Sequence, residues 1–239
     1  MKQKLTAAIR NRITENWRSA FPTMVAAFPM WLMKRHGPIV VGLCLDRTRS
    51  NDCYIPVFHV HCLVRPSLNV SLTLYQALSD ERVPQIEQEI DVVSHASTFA
   101  GHVVRMRRQV PILLQPRLAM NEVLALYVEF FLARRDPAVC RFPSTLFADV
   151  ILTLAALGHR ERATDLFMKA SRLMETWPRH EVRPSSWHED ISARLDFDAA
   201  ASTVASELKR HKLEAIPDYG LDPGIDDAET IIDLYGKTV

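Results

Sequence analysis

Glycine is scarce, at 7 of 239 residues. That leaves little material for glycine-rich loops that cradle phosphate, and neither a Walker-type GxxxxGK[ST] run nor a GxSxG elbow occurs. Cysteine is also sparse: Cys44, Cys53, Cys62 and Cys140 form no CxxC pair, which suits free thiols in a reducing compartment. HExxH and HxxEH are absent too. No long apolar run exists. The most apolar stretch, Val123 to Leu132, is interrupted by Glu129 and far shorter than the ~20 residues a membrane span needs. Lys2, Lys4, Arg10 and Arg12 break up the N-terminus, so no signal-peptide core follows. The expectation is a soluble, cytoplasmic chain with no membrane contact and no cofactor.

What is present is ordinary globular material, 48% apolar and 24% charged, which argues against disorder. The net charge of +1 conceals an asymmetry. Residues 1–120 hold 15 basic against 8 acidic side chains, and residues 121–239 hold 14 against 20. Such a split fits attraction between the halves, or a basic surface for an acidic partner.

The stretch Cys53 to Pro66, CYIPVFHVHCLVRP, alternates in the manner of a strand. Ile39 to Leu45 is a second strand, rich in β-branched residues, and the polar Asp46–Asp52 joins the two into a hairpin over 39–64. Pairing Leu45 with Tyr54 and Val41 with Phe58 collects Ile39, Val41, Leu43, Leu45, Phe58, Val60, Cys62 and Val64 on one apolar face. His59, His61, Cys44, Val40 and Val57 share the other, and a one-residue slip would mix the two. Before the hairpin, Leu5, Ile9, Ile13 and Trp17 mark a helix over 2–20. Pro22 and Pro29 end that pattern, and Trp31 to Lys34 reads as a short strand before a turn at Arg35–Pro38. Asn69 to Leu74 suggests one more strand.

From residue 80 the periodicity becomes helical: 84–108 with a break near Gly101, then 117–134, 144–157 capped by Ser144, 160–176, and 185–212. Strands early and helices late predict an α+β fold. The expected organisation is an α+β part over 1–140, a helical part over 141–213 and an acidic tail over 214–239. In the helical part, Gly158, Ala163, Phe167 and Ala170 stand at the spacing of a tetratricopeptide unit. The hairpin 144–177 therefore resembles one such unit, with Ile151 and the displaced Pro178 as departures, over about one seventh of the chain. The resemblance implies protein–protein contact.

Three places carry possible chemistry. His59 and His61, at i, i+2 on a strand, project to one face and can offer two metal ligands; His95 and His102, seven apart on a helix, are the candidates to complete the set. Arg105, Arg107 and Arg108, with Arg117 beyond, form a basic run able to meet phosphates or an acidic partner, though Phe99 is the only ring nearby. Ile231, Ile232, Leu234 and Tyr235 give the acidic tail an apolar side suited to docking. The leading functional expectation is a protein-binding chain without evident catalysis, of the kind found as accessory subunits in bacterial multi-protein or immunity-type systems. Its partner is another protein or a second copy of itself. The alternatives are a metal-dependent or nucleic-acid-processing enzyme using His59 and His61, and nucleic-acid binding through Arg105–Arg108.

Overall fold

Nine cross-strand pairs between two long strands form the centre of the molecule. In the computed structural model, which describes residues 3–68, 70, 74–79, 86–133, 144–176 and 186–223, β3 (Ile39–Arg47) pairs antiparallel with β4 (Cys53–Cys62). The sheet continues outward in the order β1 (Val25–Phe28), β2 (Trp31–His36), β3, β4, β5 (Leu74–Ala77), and the short β6 (Ile90–Asp91) also adds to β4. The expected face parity holds, but the register is displaced by two residues. Leu45 faces Pro56, Leu43 faces Phe58, Val41 faces Val60 and Ile39 faces Cys62. Arg47 therefore still pairs with Tyr54, and the connecting loop is shorter than the polar run Asp46–Asp52 suggests.

Upstream, β2 is longer than expected, running to His36, with Gly37 (φ 56°) and Pro38 making the turn. The strand β1 between the two prolines was not foreseen. It returns into β2 through Met30, whose left-handed φ of 69° is held by its N–H bonding the Thr14 hydroxyl at 3.0 Å.

Helix α1 (Ala7–Ala20) starts at Thr6, whose hydroxyl accepts from Ile9 N–H, and buries Ile9, Ile13 and Trp17 as the spacing predicted. It lies over the apolar face of the sheet beside α2 (His95–Gln109). That helix begins eleven residues later than expected and passes through Gly101 without a break. The segment before it is drawn into the sheet instead, with Tyr54 pairing Ile90 and Cys53 pairing Asp91.

A 3₁₀ turn at Pro111–Leu114 leads to β7 (Leu118–Ala119) and α3 (Met120–Ala133). Lys34, fully buried on the same sheet face, donates its ammonium hydrogens to the carbonyls of Ile112, Leu113 and Gln115 at the end of that turn. These carbonyls are the groups a helical turn leaves orphaned, and a cation is their natural partner.

The helical part is closed around α4 (Ser144–Ala156), which is buried from Leu146 to Ala155 and so is apolar almost all round, with Asp149 and Thr153 as its polar exceptions. Gly158 (φ 84°) turns the chain into α5 (Arg160–Glu175), which buries the small Ala163 and Ala170, while the Phe167 ring stacks on Trp187 at 5.8 Å. The single helix expected over 185–212 is two, α6 (Ser186–Ser192) and α7 (Phe197–Arg210), because Asp196 restarts the chain by capping the N–H of Asp198. The C-terminal β8 (Leu221–Asp222) then runs parallel to β7. The stretch 136–143, where a boundary was expected, and the docking residues Ile231, Ile232, Leu234 and Tyr235 lie outside the described residues.

One apolar core joins both parts, from Leu5 and Trp17 through Phe58 to Ile151, Phe167 and Leu221. The polar link inside it is Asp149 on α4, which accepts from Arg65 beyond β4 and from the Tyr127 hydroxyl. Replacing Asp149 by Ala removes the buried carboxylate to which both the Arg65 guanidinium and the Tyr127 hydroxyl donate. The expected loss is roughly 3 kcal/mol of unfolding free energy, read as a lower urea midpoint at unchanged slope. A loss below about 1 kcal/mol would show that this link does not hold the two parts together.

Candidate functional site

Alternation along β4 sends Tyr54, Phe58 and Cys62 to the helix-covered face and His59 and His61 to the other. The first face is committed to packing. Cys62 Sγ lies 3.5 Å from Thr153 Oγ1 on α4, and burial pushes its thiol up to about 12. At the far end, Trp17 Nε1–H donates to the Tyr54 oxygen at 3.0 Å. His95 sits here as well. Asn16 Nδ2 donates to its Nε2 at 2.9 Å, which leaves the ring hydrogen on Nδ1, 2.7 Å from the same Tyr54 oxygen. Burial, and next the positive charge of Arg12, lower its basicity. His102 lies one and a half to two turns further along the same buried side of α2, its Nδ1 without a hydrogen-bond partner among the described residues. Burial and then Arg105 lower its pKa too.

His59 faces the opposite way. Its cross-strand partner is Gly42, and the imidazole lies directly over that glycine: a Cβ built on Gly42 would stand 2.6 Å from His59 Nε2 and 2.5 Å from the Leu32 carbonyl oxygen. The Trp31 ring meets the imidazole edge-on at 5.3 Å. His59 is 0% exposed, and neither ring nitrogen has a hydrogen-bond partner among the described residues. Burial in this apolar slot, with His61 adding a smaller effect, pushes its pKa down to about 3.

His61, equally buried, stands perpendicular to His211 with ring centroids 5.7 Å apart. His211 follows α7, and its Nε2 is 3.2 Å from Glu207 Oε2. That carboxylate is itself 1% exposed and accepts from Ser67 N–H at 2.8 Å and from Arg210 Nε at 3.2 Å. Glu207 is thus a buried acceptor with three donors, which orients His211 and turns it towards His61.

The four histidines singled out by spacing do not converge. His95 and His102 belong to the helix-covered face, and His59 and His61 to the other. Among the described residues no group of three or more His, Cys, Asp or Glu side chains is placed to hold a metal ion. The fold brings together instead a set that spacing from His59 could not show: His61, His211 and Glu207. The Glu207–His211 pair at i, i+4 on a helix was the available signal. Lys34 and His36 were also missed. His36 bonds the Gly220 carbonyl through Nδ1 at 3.1 Å, and its buried Nε2 has no partner among the described residues.

The arginines divide. Arg105 Nη1 donates to Gln88 Oε1 at 3.1 Å, and Arg107 Nη2 to the Ala20 carbonyl at 2.6 Å with its guanidinium 5.6 Å over the Phe21 ring. Arg108 and Arg117 are exposed. Phe99 is turned inward, edge-on to Trp17 at 5.3 Å, so it offers no stacking platform.

Two outcomes follow from the His59 slot. Gly42→Ala forces the Cβ against a backbone carbonyl and the imidazole at once, and should cost at least ~2 kcal/mol in chemical denaturation; a neutral result would mean the ring does not lie across the glycine. Because burial lowers the folded-state pKa of His59, His36, His95 and His102, the stability they permit is complete above the ordinary histidine range. It is lost as pH falls below ~6.5, since only the unfolded chain takes up the protons there. His59→Leu removes one such proton and should flatten the decline between pH 6.5 and 4.5 by roughly 2–3 kcal/mol. Denaturation midpoints of the two proteins that fall in parallel would refute this.

No protein-family model matches the chain, and no curated protein or solved structure matches it either.

Proposed function

We propose that the chain works by binding, as an accessory subunit of a multi-protein assembly, and that its histidines serve the core. The observation that carries this is the distribution of its polar side chains. His59, His61, His95 and His102 are all sealed away from solvent, so a substrate reaches none of them without the sheet or its cover opening. Meanwhile the outer layer formed by α1 and α2 carries six arginines and one glutamate. A charge imbalance of that size on a surface is a feature of recognition, not of folding. The helix pair α4–α5, tetratricopeptide-like in its spacing, supports the same reading. A reducing, cytoplasmic setting agrees with free Cys44, Cys53 and Cys62. Among the described residues no helix is long and apolar enough to cross a membrane.

The arginine layer also favours a second reading, contact with nucleic acid phosphates. The two separate by salt dependence. Phosphate contacts predict affinity falling steeply with ionic strength and weakening when the exposed Arg12 and Arg117 are replaced by Ala. Native mass spectrometry and sedimentation of the protein drawn untagged from its own cells test the leading reading. The expected result is a stoichiometric protein complex or a self-assembled form. A lone monomer at every concentration would remove it.

A further inference from the structure

Strand β1 begins opposite Met33, so from Lys34 onward it leaves the outer edge of β2 uncovered. Residues 217–221 take over that edge. Arg35 N–H donates to the Pro217 carbonyl at 3.4 Å, and Tyr219 N–H donates to the Arg35 carbonyl at 2.9 Å. Asp218 supports the crossing. It pairs with the Arg35 guanidinium at 2.8 Å and accepts from the N–H groups of Gly37 and Gly220. Little apolar surface holds the segment down: Pro217, Asp218 and Tyr219 are exposed, Gly220 is half-buried, and Leu221 at its end is buried. A surface segment held mainly by polar contacts opens locally at far less cost than global unfolding.

The inner contact of this segment is His36, which is 0% exposed. Its Nδ1–H donates to the Gly220 carbonyl at 3.1 Å, so Nε2 is the nitrogen without a hydrogen. Nε2 is buried and has no hydrogen-bond partner among the described residues. A proton added there creates a buried N–H without an acceptor, and a second cation on the sheet face that already holds the buried ammonium of Lys34. The carboxylates facing the ring are committed elsewhere. Asp218 serves Arg35 and two N–H groups, and Glu122 on α3 accepts from the Gln115 amide and Ala119 N–H. The Tyr219 ring lies 5.9 Å away on the outer side, and the cross-strand partner on β3 is the uncharged Ile39. Burial above all lowers the basicity of the ring, and Lys34 adds to it. A charged His36 is therefore accommodated once the covering segment lifts and the ring meets water.

We propose that residues 217–221 are a pH-gated strap, held shut by neutral His36 and released from the edge of β2 by acidification. Release uncovers the Arg35 N–H, carbonyl and guanidinium, which Pro217, Tyr219 and Asp218 otherwise occupy. The sign follows from the lowered pKa in the closed state. Closure is complete above the ordinary histidine range and is lost as pH falls below ~6.5, because the open state takes up the proton first.

Amide hydrogen exchange of the full chain at pH 7.5 and 5.5, corrected for intrinsic rates, tests this. The expected result is a loss of protection at Tyr219 approaching about tenfold, while amides of β3 and β4 stay far better protected, so that the opening is local. His36→Asn keeps a donor for the Gly220 carbonyl and cannot take up a proton, so it abolishes the loss. Asp218→Asn removes the carboxylate of the strap: protection of Tyr219 is lower already at pH 7.5 and still falls on acidification. Overturning results are equal protection at both pH values, a decline that survives in His36→Asn, or a decline that vanishes in Asp218→Asn, which would make the carboxylate the trigger. Where His36→Asn fails to fold, Asp218→Asn decides between the two groups. Each overturning result removes the gate and leaves the accessory-subunit reading standing.

Discussion

Everything else in the molecule answers to the β3–β4 ladder, because its two strands are buried on both faces. From Ile39 to Leu45 and from Val57 to Cys62 no side chain reaches solvent freely. A sheet buried on both faces must be covered by elements from elsewhere, and the chain supplies them from both of its parts. Helices α1 and α2 cover the Tyr54 end of one face, and α4 covers the Cys62 end. The residue after α7, His211, reaches round to the opposite face at His61. The helical part is therefore the second wall of the same core.

Burial on both faces also decides what the histidines are. A strand exposed on one side would present His59 and His61 as a ligand pair. Here His59 is pressed over Gly42 and beside Trp31 in surroundings that disfavour the charged ring. The same desolvation acts on His36, His95 and His102. His95 is held by the Tyr54 oxygen and His36 by the Gly220 carbonyl. An imidazole that is neutral, walled in and packed against rings behaves as a polar aromatic residue.

Period-two alternation revealed which side chains share a face, yet it was blind to the true register, since a shift of two residues leaves both faces unchanged. Helix α1 was legible because its stripe repeats over several turns, though it starts after Thr6 and not at residue 2, and the pair α4–α5 was marked by the turn at Gly158. Residues 86–94 misled for a tertiary reason: Ile90 and Asp91 complete the ladder of Tyr54 and Cys53, a partnership some forty residues away that no local pattern records. Gly101 invited a break, but an isolated glycine costs a helix too little to end it once Val103 and Met106 are buried on the other side. At the candidate site, the shared face of His95 and His102 was readable. The side of the sheet on which α2 would land was not. Lys34 was invisible because its partners are backbone carbonyls, which carry no sequence signal.

Within the described residues, the split of charge between the halves finds part of its explanation inside the fold. Two cations of the N-terminal half do meet carboxylates of the C-terminal half: Arg65 pairs with buried Asp149, and Arg35 with Asp218 at 2.8 Å. Both lie where the chain's two parts meet, so they serve closure of the core as much as neutralisation. The arginines of α1 and α2 are a different population. Apart from Arg18, which sits on its own Glu15, those with described contacts lean on a glutamine and a backbone carbonyl, groups that orient a guanidinium without cancelling it. Helix α2 has no acid in its first turn and carries Arg107 and Arg108 in its last. Cations at that end complement the carbonyls that a helix leaves without partners, so part of the arginine layer is explained by the helix itself.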